Sequence, residues 1–189
     1  MHGIVFVELN QYVKQRLGAP AWKQILRTAD LEHRVYFALD TYPDGEMQAL
    51  VPAIAGRMGL SADKVMEEFG EFIAPTMLRM YSSLLNPQWK TLDVLEHTED
   101  TIHRVVRMRE KNALPPELEC SRSGPAHVIV KYSSGRRMCA VAKGIVRGVA
   151  RHFGEVIEIQ ESMCMQLGAN QCQIHVRRLP GSNPGNRPI

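Results

Sequence analysis

The sequence predicts an α+β (mixed α/β) fold, in which a helical N-terminal lobe packs on a C-terminal lobe of antiparallel strands and helices. Two observations predict it. Apolar residues recur every three or four positions through most of the first 109 residues, which is the period of an amphipathic helix. From residue 126 onward, alternating β-branched stretches enclose one further helical pattern, and such alternation is typical of strands.

The 189 residues suffice for one compact domain, which we expect over residues 1–178. Within it we expect a helical lobe at about 1–60 and an α/β lobe at about 61–178. The remaining stretch, 179–189, is rich in proline, glycine and asparagine, so it is expected to be a flexible tail.

Five helices are predicted before residue 110, and their ends carry local signals. Gly18 and Pro20 separate the first helix from the second. Ser61 is the expected N-cap of the fourth helix. Pro115 and Pro116 follow the fifth and cannot continue a helix, so 112–120 is expected to be irregular. The predicted helices cover residues 3–17, 19–29, 46–59, 61–85 and 91–109.

The C-terminal part predicts three strands and one helix. Residues 126–134 alternate in polarity and are expected to form a strand, and 138–154 has the helical spacing. Residues 155–166 and 171–179 are predicted to be two strands joined by a hairpin at Leu-Gly-Ala-Asn.

Composition excludes several classes of protein. The net charge is +3 and the basic residues are scattered, which does not indicate nucleic-acid binding. No apolar run approaches the roughly 20 residues that span a bilayer, and the N-terminus lacks the pattern of a signal peptide. We therefore expect a cytoplasmic protein without membrane insertion, whose four cysteines stay reduced.

Two histidines, His97 and His103, lie in the helical stretch 91–109. At about 100° per residue, His103 falls beside the apolar arc that contains Ile102 and Val106, whereas His97 points away from it. His97 is therefore expected in solvent and His103 at the edge of the core. At this position His103 is either a hydrogen-bonded core residue or a ligand.

A second pattern brings together Tyr132, Ser134 and Arg136, which alternate along the chain. In an extended segment these side chains share one face. A guanidinium with two hydroxyl groups suits a carboxylate or a phosphate. The alternative is a solvated edge strand that runs into a turn.

These features together resemble the H-NOX family, the haem nitric oxide/oxygen-binding domains. The chain opens with the family's Met-x-Gly start, His103 precedes a proline pair, and Tyr132-x-Ser134-x-Arg136 matches the family's Y-x-S-x-R motif. A closing helix and hairpin follow in the family's order. The resemblance covers residues 1–178 and is to the stand-alone bacterial type.

The resemblance implies a haem b between the two lobes, with His103 as the axial ligand of the iron. It also implies that Tyr132, Ser134 and Arg136 bind the haem propionates. The remaining side chains implied in the haem pocket are Val5, Leu9, Ile102, Pro116, Leu118, Val141 and Ile145.

The resemblance further implies a sensor of NO that also binds CO, discriminates against O₂ and is not an enzyme. Family members that hold O₂ use a distal tyrosine, and counting from Arg136 places Val141 at that position, with Ala140 beside it. Neither side chain donates a hydrogen bond. Loss of the iron–His103 bond would release the helix that carries it. The expected partner is a separate signalling protein, such as a histidine kinase or a cyclic-di-GMP enzyme.

Cys139, Cys164 and Cys172 form a third candidate site. The hairpin brings Cys164 and Cys172 close together, and three thiolates suit Zn²⁺. The alternative is three reduced core cysteines. The spacing resembles that of bacterial H-NOX proteins with a C-terminal zinc site that responds to thiol oxidation. The fourth ligand stays open between Glu161, His152, His175 and water.

A haem-free ligand-binding scaffold and a zinc hydrolase are the alternative functions. A haem-free ligand-binding or zinc- and redox-responsive scaffold, of the vinyl-reductase-like type, would share the cysteine-bearing hairpin but would not need His103 with the Tyr-Ser-Arg motif. A zinc hydrolase would need an open metal position and a general base, for which the sequence offers no pattern.

Overall fold

A computed structural model of the chain describes residues 1–109 and 113–181. The described residues form a group of helices and a four-stranded antiparallel sheet, which confirms the predicted α+β class. The helices are α1 (Gly3–Leu17), α2 (Ala19–Thr28), α3 (Asp44–Met58), α4 (Ala62–Met80), α5 (Thr91–Thr98), α6 (Arg104–Arg109) and α7 (Cys139–His152). The strands are β1 (Glu117–Gly124), β2 (His127–Ser133), β3 (Ile157–Met163) and β4 (Cys172–Arg178).

The helical core is formed by α1, α2, α3 and the N-terminal part of α4. Phe6, Leu9, Ile25, Leu50 and Phe69 are fully buried within it. Because α4 contributes to this core and also packs along α7, it joins the helical part to the rest of the molecule. The division of the chain into lobes near residue 60, and the flexible tail at 179–189, stay predictions. Most of that tail lies outside the described residues.

The sheet has the strand order β1-β2-β4-β3. Its inner face is formed by alternate residues of β2 and β4, such as Val128, Val130 and Ile174, which are buried against Leu92 of α5 and Val146 of α7. The two helices therefore pack on the apolar face of the sheet, which the alternation of residues along β2 and β4 produces.

Two glycines let α4 and α7 cross in close contact. A Cβ atom built on Gly70 would lie 2.3 Å from the carbonyl oxygen of Val141, and one built on Gly144 would lie 2.0 Å from the carbonyl oxygen of Glu67. These separations are far shorter than any real contact of a Cβ atom. Only residues without a Cβ allow this backbone-to-backbone approach.

The structure corrects four sequence-based boundaries. The strand predicted at 155–166 ends at Met163, and a 3₁₀ turn at Met165–Leu167 follows it. Residues 117–124 form strand β1, not an irregular segment, because they pair in register with β2 although only Leu118 and Cys120 turn toward the core. The fourth helix ends at Met80 and is followed by a 3₁₀ turn at Ser82–Leu84. The predicted helix 91–109 is divided into α5, a π-helical turn and α6.

Other boundary signals are confirmed. Ser61 caps α4, since its Oγ accepts a hydrogen bond from the backbone N–H of Lys64 at 3.2 Å.

Within the two described stretches, every helix is too short or too polar to cross a membrane.

Candidate functional site

A π-helical turn at Glu99–His103 interrupts the helix and presents His103 at its end. Single π turns inside α-helices are frequent at functional sites. The side chain of His103 is 14% exposed. His97 is exposed, as the helical phase predicts, and its ring stacks on Trp89 at a centroid distance of 4.4 Å.

His103 is held by a carboxylate from its own helix. Its Nδ1 atom lies 3.0 Å from Oε2 of Glu99. The same carboxylate accepts hydrogen bonds from the backbone N–H of Leu118 at 3.1 Å and from Arg107 at 2.6 Å. Glu99 therefore connects the histidine to strand β1 and to α6.

Burial lowers the pKa of His103 below its ordinary value, although the hydrogen bond and the charge of Glu99 act to raise it. The neutral imidazole is the form that binds a metal. With Nδ1–H donated to a carboxylate, Nε2 is the nitrogen that can act as a ligand, which is the usual arrangement around metal-bound histidines.

Tyr132, Ser134 and Arg136 are brought together by a turn rather than by one extended strand. Strand β2 ends at Ser133, and the backbone N–H of Arg137 donates to the carbonyl oxygen of Ser134 at 3.0 Å. Ser134 Oγ accepts the backbone N–H of Arg136 at 3.2 Å and is also hydrogen-bonded to the Tyr132 phenol. The phenol is buried, which raises the pKa of Tyr132.

The guanidinium of Arg136 is anchored by a distant residue. Its Nε donates to Oδ2 of Asp44 at 2.8 Å, and Oδ1 of Asp44 lies 3.0 Å from the N-terminal ammonium of Met1. Burial opposes ionisation of Asp44, but its hydrogen bonds to Arg136 and the ammonium outweigh burial and hold its pKa below the usual range. Nη1 of Arg136 donates to the carbonyl oxygen of Leu114 at 2.5 Å.

The apolar residues of the expected pocket fall into two neighbouring regions. Leu9 and Val141 belong to the helical core, with Val5 and Ile145 packed against it. Leu118 packs on the core under the sheet. Ile102 is a half-buried residue of the π turn itself, and Pro116 is half-buried just before strand β1. The turn with Ser134 and Arg136 precedes α7, whose Val141 and Ile145 reach the helical core.

The three cysteines of the third candidate site lie close together, as expected from the sequence. Cys139 Sγ and Cys164 Sγ lie 3.8 Å apart, and Cys172 Sγ accepts the backbone N–H of Met165 at 3.2 Å. One ligand atom each from Cys139, Glu161, Cys164 and Cys172 lies within 4.8 Å of all the others. Burial raises the pKa of the Cys139 and Cys172 thiols.

A pocket of about 260 Å³ lies beside Arg136, between this residue and helices α3 and α4. Asp44 and Arg136 line one part of it, and Met138 and Gln166, which neighbour the cysteines, line another. The turn that contains Arg136 therefore borders this pocket.

Comparison with known proteins identifies the family. The family model described as haem-NO-binding matches residues 2–161. The chain belongs to the haem-NO-binding, or H-NOX, family. Domains of this family are haem-based gas sensors that bind gases such as NO and CO and act in signalling. They are not catalytic, which confirms the expected non-enzymatic role of the matched residues.

Solved H-NOX structures share the fold. The H-NOX protein of S. oneidensis in the Fe(II)NO ligation state superposes with a TM-score of 0.87 at 25% identity, covering 95% of this chain and 99% of that one. The Fe(II) unliganded H-NOX protein of K. algicida gives a TM-score of 0.86 at 22% identity, covering 97% and 99%, which shows the fold alone.

Curated relatives are soluble guanylate cyclases. The chain is 25% identical over 183 residues to gcy-35 of Caenorhabditis elegans, covering 89% of this chain and 26% of that protein. It is 22% identical over 172 residues to guanylate cyclase 89Db of Drosophila melanogaster, covering 87% and 26%. The chain thus spans about a quarter of the length of these cyclases.

The donor set in this H-NOX chain fits a haem. It offers a mostly buried imidazole with one nitrogen held by a carboxylate, and a hydroxyl and a guanidinium group that suit carboxylates. Aliphatic side chains belong to the adjoining cores.

Sequence reasoning missed two of the polar partners described above. Glu99 stands four residues before His103, a spacing that places two side chains together on a helix and could have indicated it. Asp44 lies 92 residues from Arg136 and carries no local signal.

Proposed function

We propose that this H-NOX chain is a haem b-based nitric oxide sensor that also binds CO, discriminates against O₂ and regulates a separate signalling protein. The observation that carries the proposal is the π turn that ends in His103. There the imidazole is 14% exposed, and Glu99 holds its Nδ1 atom.

In this proposal His103 is the axial ligand of the haem iron, through Nε2. Tyr132, Ser134 and Arg136 bind the propionates, with Arg136 kept in place by Asp44. The bound haem supplies a ferrous iron to which the gas attaches. The aliphatic residues Val5, Leu9, Ile102, Pro116, Leu118, Val141 and Ile145 line the pocket and exclude water.

Discrimination against O₂ rests on the absence of a hydrogen-bond donor in the side chains of Val141 and Ala140. Bound O₂ carries partial negative charge and depends on such a donor more than NO or CO does. Tyr36 and Tyr81 are the alternative donors, and the hydroxyl group of Tyr36 already donates to Oε2 of Glu46 at 2.8 Å. This contact supports an O₂-excluding pocket.

Signalling would depend on the hold of His103 on the haem group, which would supply the site for NO. His103 is tied through Glu99 to the backbone of Leu118 and to Arg107, so release of His103 changes contacts at β1 and α6. A partner that contacts these elements can read the change as a shift between two arrangements. By family resemblance the partner is a histidine kinase or a cyclic-di-GMP enzyme.

We also propose that Cys139, Cys164 and Cys172 hold Zn²⁺ and make the chain responsive to thiol oxidation. For zinc–sulfur bonds of about 2.3 Å, the sulfur atoms of a tetrahedral site lie about 3.8 Å apart. The separation of Cys139 Sγ and Cys164 Sγ is 3.8 Å. Metal analysis before and after peroxide treatment tests this part, because an oxidation-responsive zinc site releases its metal.

The haem proposal is tested by absorption spectra of the ferrous protein alone and with NO, CO or air. We expect a Soret band that shifts with NO and CO and no stable complex with O₂. A stable oxy complex would refute the discrimination against O₂. The absence of any Soret band after haem addition would favour the alternative of a haem-free, vinyl-reductase-like ligand-binding domain.

The role of His103 is tested by His103→Gly supplied with imidazole, with His97→Gly on the same helix as the matched control. The His103 variant should bind haem through the added imidazole but should not pass the NO signal to the partner. The control, which removes an exposed ring, should signal normally. Normal signalling by His103→Gly would refute the role of this residue.

A further inference from the structure

We propose that Glu161 supplies the fourth ligand of the metal at the three cysteines through its Oε1 atom, and that Lys143 is the positioning residue which keeps this atom free. The inference rests on the metal site proposed above and deepens it. It assigns the carboxylate of Glu161 to the fourth ligand position, which the sequence left open. It also gives a role to Lys143, which does not bind the metal.

The position of Glu161 meets the geometric requirement for a ligand. A carboxylate oxygen of Glu161 and the three sulfur atoms all lie within 4.8 Å of one another. Zinc accepts Asp and Glu oxygens at about 2.0–2.2 Å beside cysteine sulfurs at about 2.3 Å. A shift of about one ångström or less in each side chain therefore closes a tetrahedron around one ion.

The hydrogen bonding of Glu161 distinguishes its two oxygens. Oε2 accepts a hydrogen bond from Lys143 Nζ at 3.0 Å. Oε1 is buried and has no hydrogen-bond partner among the described residues. A buried carboxylate oxygen without a partner is costly, and a metal ion at the adjacent thiols removes that cost.

The two histidines that were candidates for the fourth position lie outside the cluster. The two ring nitrogens of His175 lie 3.3 Å from His127 and 3.1 Å from Ser162. His152 stands at the opposite end of α7 from Cys139. At 1.5 Å per residue, the helix separates these two backbones by about 20 Å. Neither histidine takes part in the cluster around the three sulfurs.

Lys143 fixes the orientation of the Glu161 carboxylate. It stands one helical turn after Cys139 on α7, and its side chain is 19% exposed. Its ammonium contacts Glu161 on one side and Oε1 of Glu67, on α4, at 3.4 Å on the other. Arg147 holds the second oxygen of Glu67 at 3.0 Å.

Lys143 also compensates charge. Three thiolates and one carboxylate around a divalent ion leave a net charge of about −2 at the site. The neighbouring ammonium offsets part of it, and it donates to the carboxylate oxygen that does not face the metal. Removing Lys143 should therefore weaken metal binding although every ligand remains.

The test uses the full-length protein after removal of metal and reduction of its thiols. Zinc affinity is measured by dialysis against a competing chelator with elemental analysis, and the ligand set is followed by ¹¹³Cd NMR. The variants are Glu161→Ala, Glu161→Gln, Lys143→Met and Cys164→Ala. Glu158→Ala is the matched control, because Glu158 lies on the same strand but is 57% exposed and pairs only loosely with Arg177.

We expect wild type and Glu158→Ala to bind one metal per chain with equal affinity, and Cys164→Ala to lose it. Both Glu161 variants should bind zinc at least tenfold more weakly and shift the ¹¹³Cd resonance. Lys143→Met should weaken zinc binding about tenfold, in line with other partners of metal ligands. Glu161 variants with wild-type affinity and an unchanged resonance would overturn the ligand assignment.

The positioning role of Lys143 is tested in a Glu161→His background. Histidine can replace the carboxylate as a ligand but offers no second oxygen to Lys143. The added Lys143→Met change should then cost much less affinity than in wild type, which a purely structural role of Lys143 would not produce. An equal loss in both backgrounds would refute the positioning role.

The outcomes separate the two proposals. If wild type binds neither zinc nor cadmium, the metal site itself is wrong and the inference about Glu161 fails with it. If wild type binds metal and Cys164→Ala does not, but Glu161→Ala binds like wild type, only the inference fails.

Discussion

Substitution of Gly144 by alanine tests the backbone contact between α4 and α7. The added Cβ would lie 2.0 Å from the carbonyl oxygen and 2.8 Å from the carbonyl carbon of Glu67. Both atoms belong to the backbone of a long helix, so no side-chain rotation relieves the overlap. The two helices must therefore separate, or the substitution must distort one of them.

The size of the effect follows from the distance. The 2.0 Å separation is about 1.4 Å shorter than the 3.4 Å at which ordinary van der Waals contact begins. Overpacking of a tight interior costs about 1–3 kcal/mol and occasionally more. The higher helix propensity of alanine returns about 1 kcal/mol. Because the clash is with backbone, we expect the upper part of this range and a net loss of about 2 kcal/mol in the free energy of unfolding.

The assay is urea unfolding followed by circular dichroism, with Gly56→Ala as the matched control. Gly56 is an exposed residue in helix α3, and a Cβ built there meets nothing within 4 Å. The control should therefore gain up to about 1 kcal/mol from propensity. The contact between α4 and α7 would be wrong as described if Gly144→Ala were as stable as Gly56→Ala.

Three further predictions concern single polar residues. Ser61→Ala removes the cap that accepts the N–H of Lys64 and should cost about 1 kcal/mol in urea unfolding; an unchanged midpoint would contradict it. Glu155→Ala leaves the buried N–H of Thr91 without its acceptor at 3.0 Å and should cost about 2 kcal/mol. A loss below about 0.5 kcal/mol, on the order of an exposed substitution, would speak against that role. Glu99→Gln weakens the hydrogen bond to His103, the proposed axial ligand, so haem transfer to apomyoglobin should be about tenfold faster. An unchanged transfer rate would refute the role of Glu99 in holding His103.

Local signals in the sequence predicted most helices and three of the four strands, β2, β3 and β4. Ser61 and Gly18 mark helix ends because their effects are confined to a single turn of backbone. The alternation in β2 and β4 is clear because one face of each strand is buried. Strand β1 was missed because its inward residues, Leu118 and Cys120, are only half-buried and the others are polar, so its pairing with β2 determines its structure.

Helical phase also separated His97 from His103 correctly, although it could not reveal the π turn. A helical wheel assumes a constant 100° per residue, so it does not show a turn whose backbone hydrogen bonds span five residues instead of four. The role of Glu99 depends on that turn and on the N–H of Leu118, which belongs to a strand that the sequence did not indicate. This part of the site could therefore be found only in three dimensions.

The Tyr132-Ser134-Arg136 site and the cysteine cluster are adjacent both along the chain and across the sheet. The sequence places Arg136 only three residues before Cys139. Strand register then brings Tyr132 opposite Cys172 across β2 and β4. Charge on Cys139 or Cys172 acts to raise the pKa of Tyr132, so the buried phenol lies within electrostatic range of both thiols. A change in the cysteine cluster therefore acts on the same turn that presents Ser134 and Arg136, and we expect metal binding and the proposed propionate contacts to influence each other.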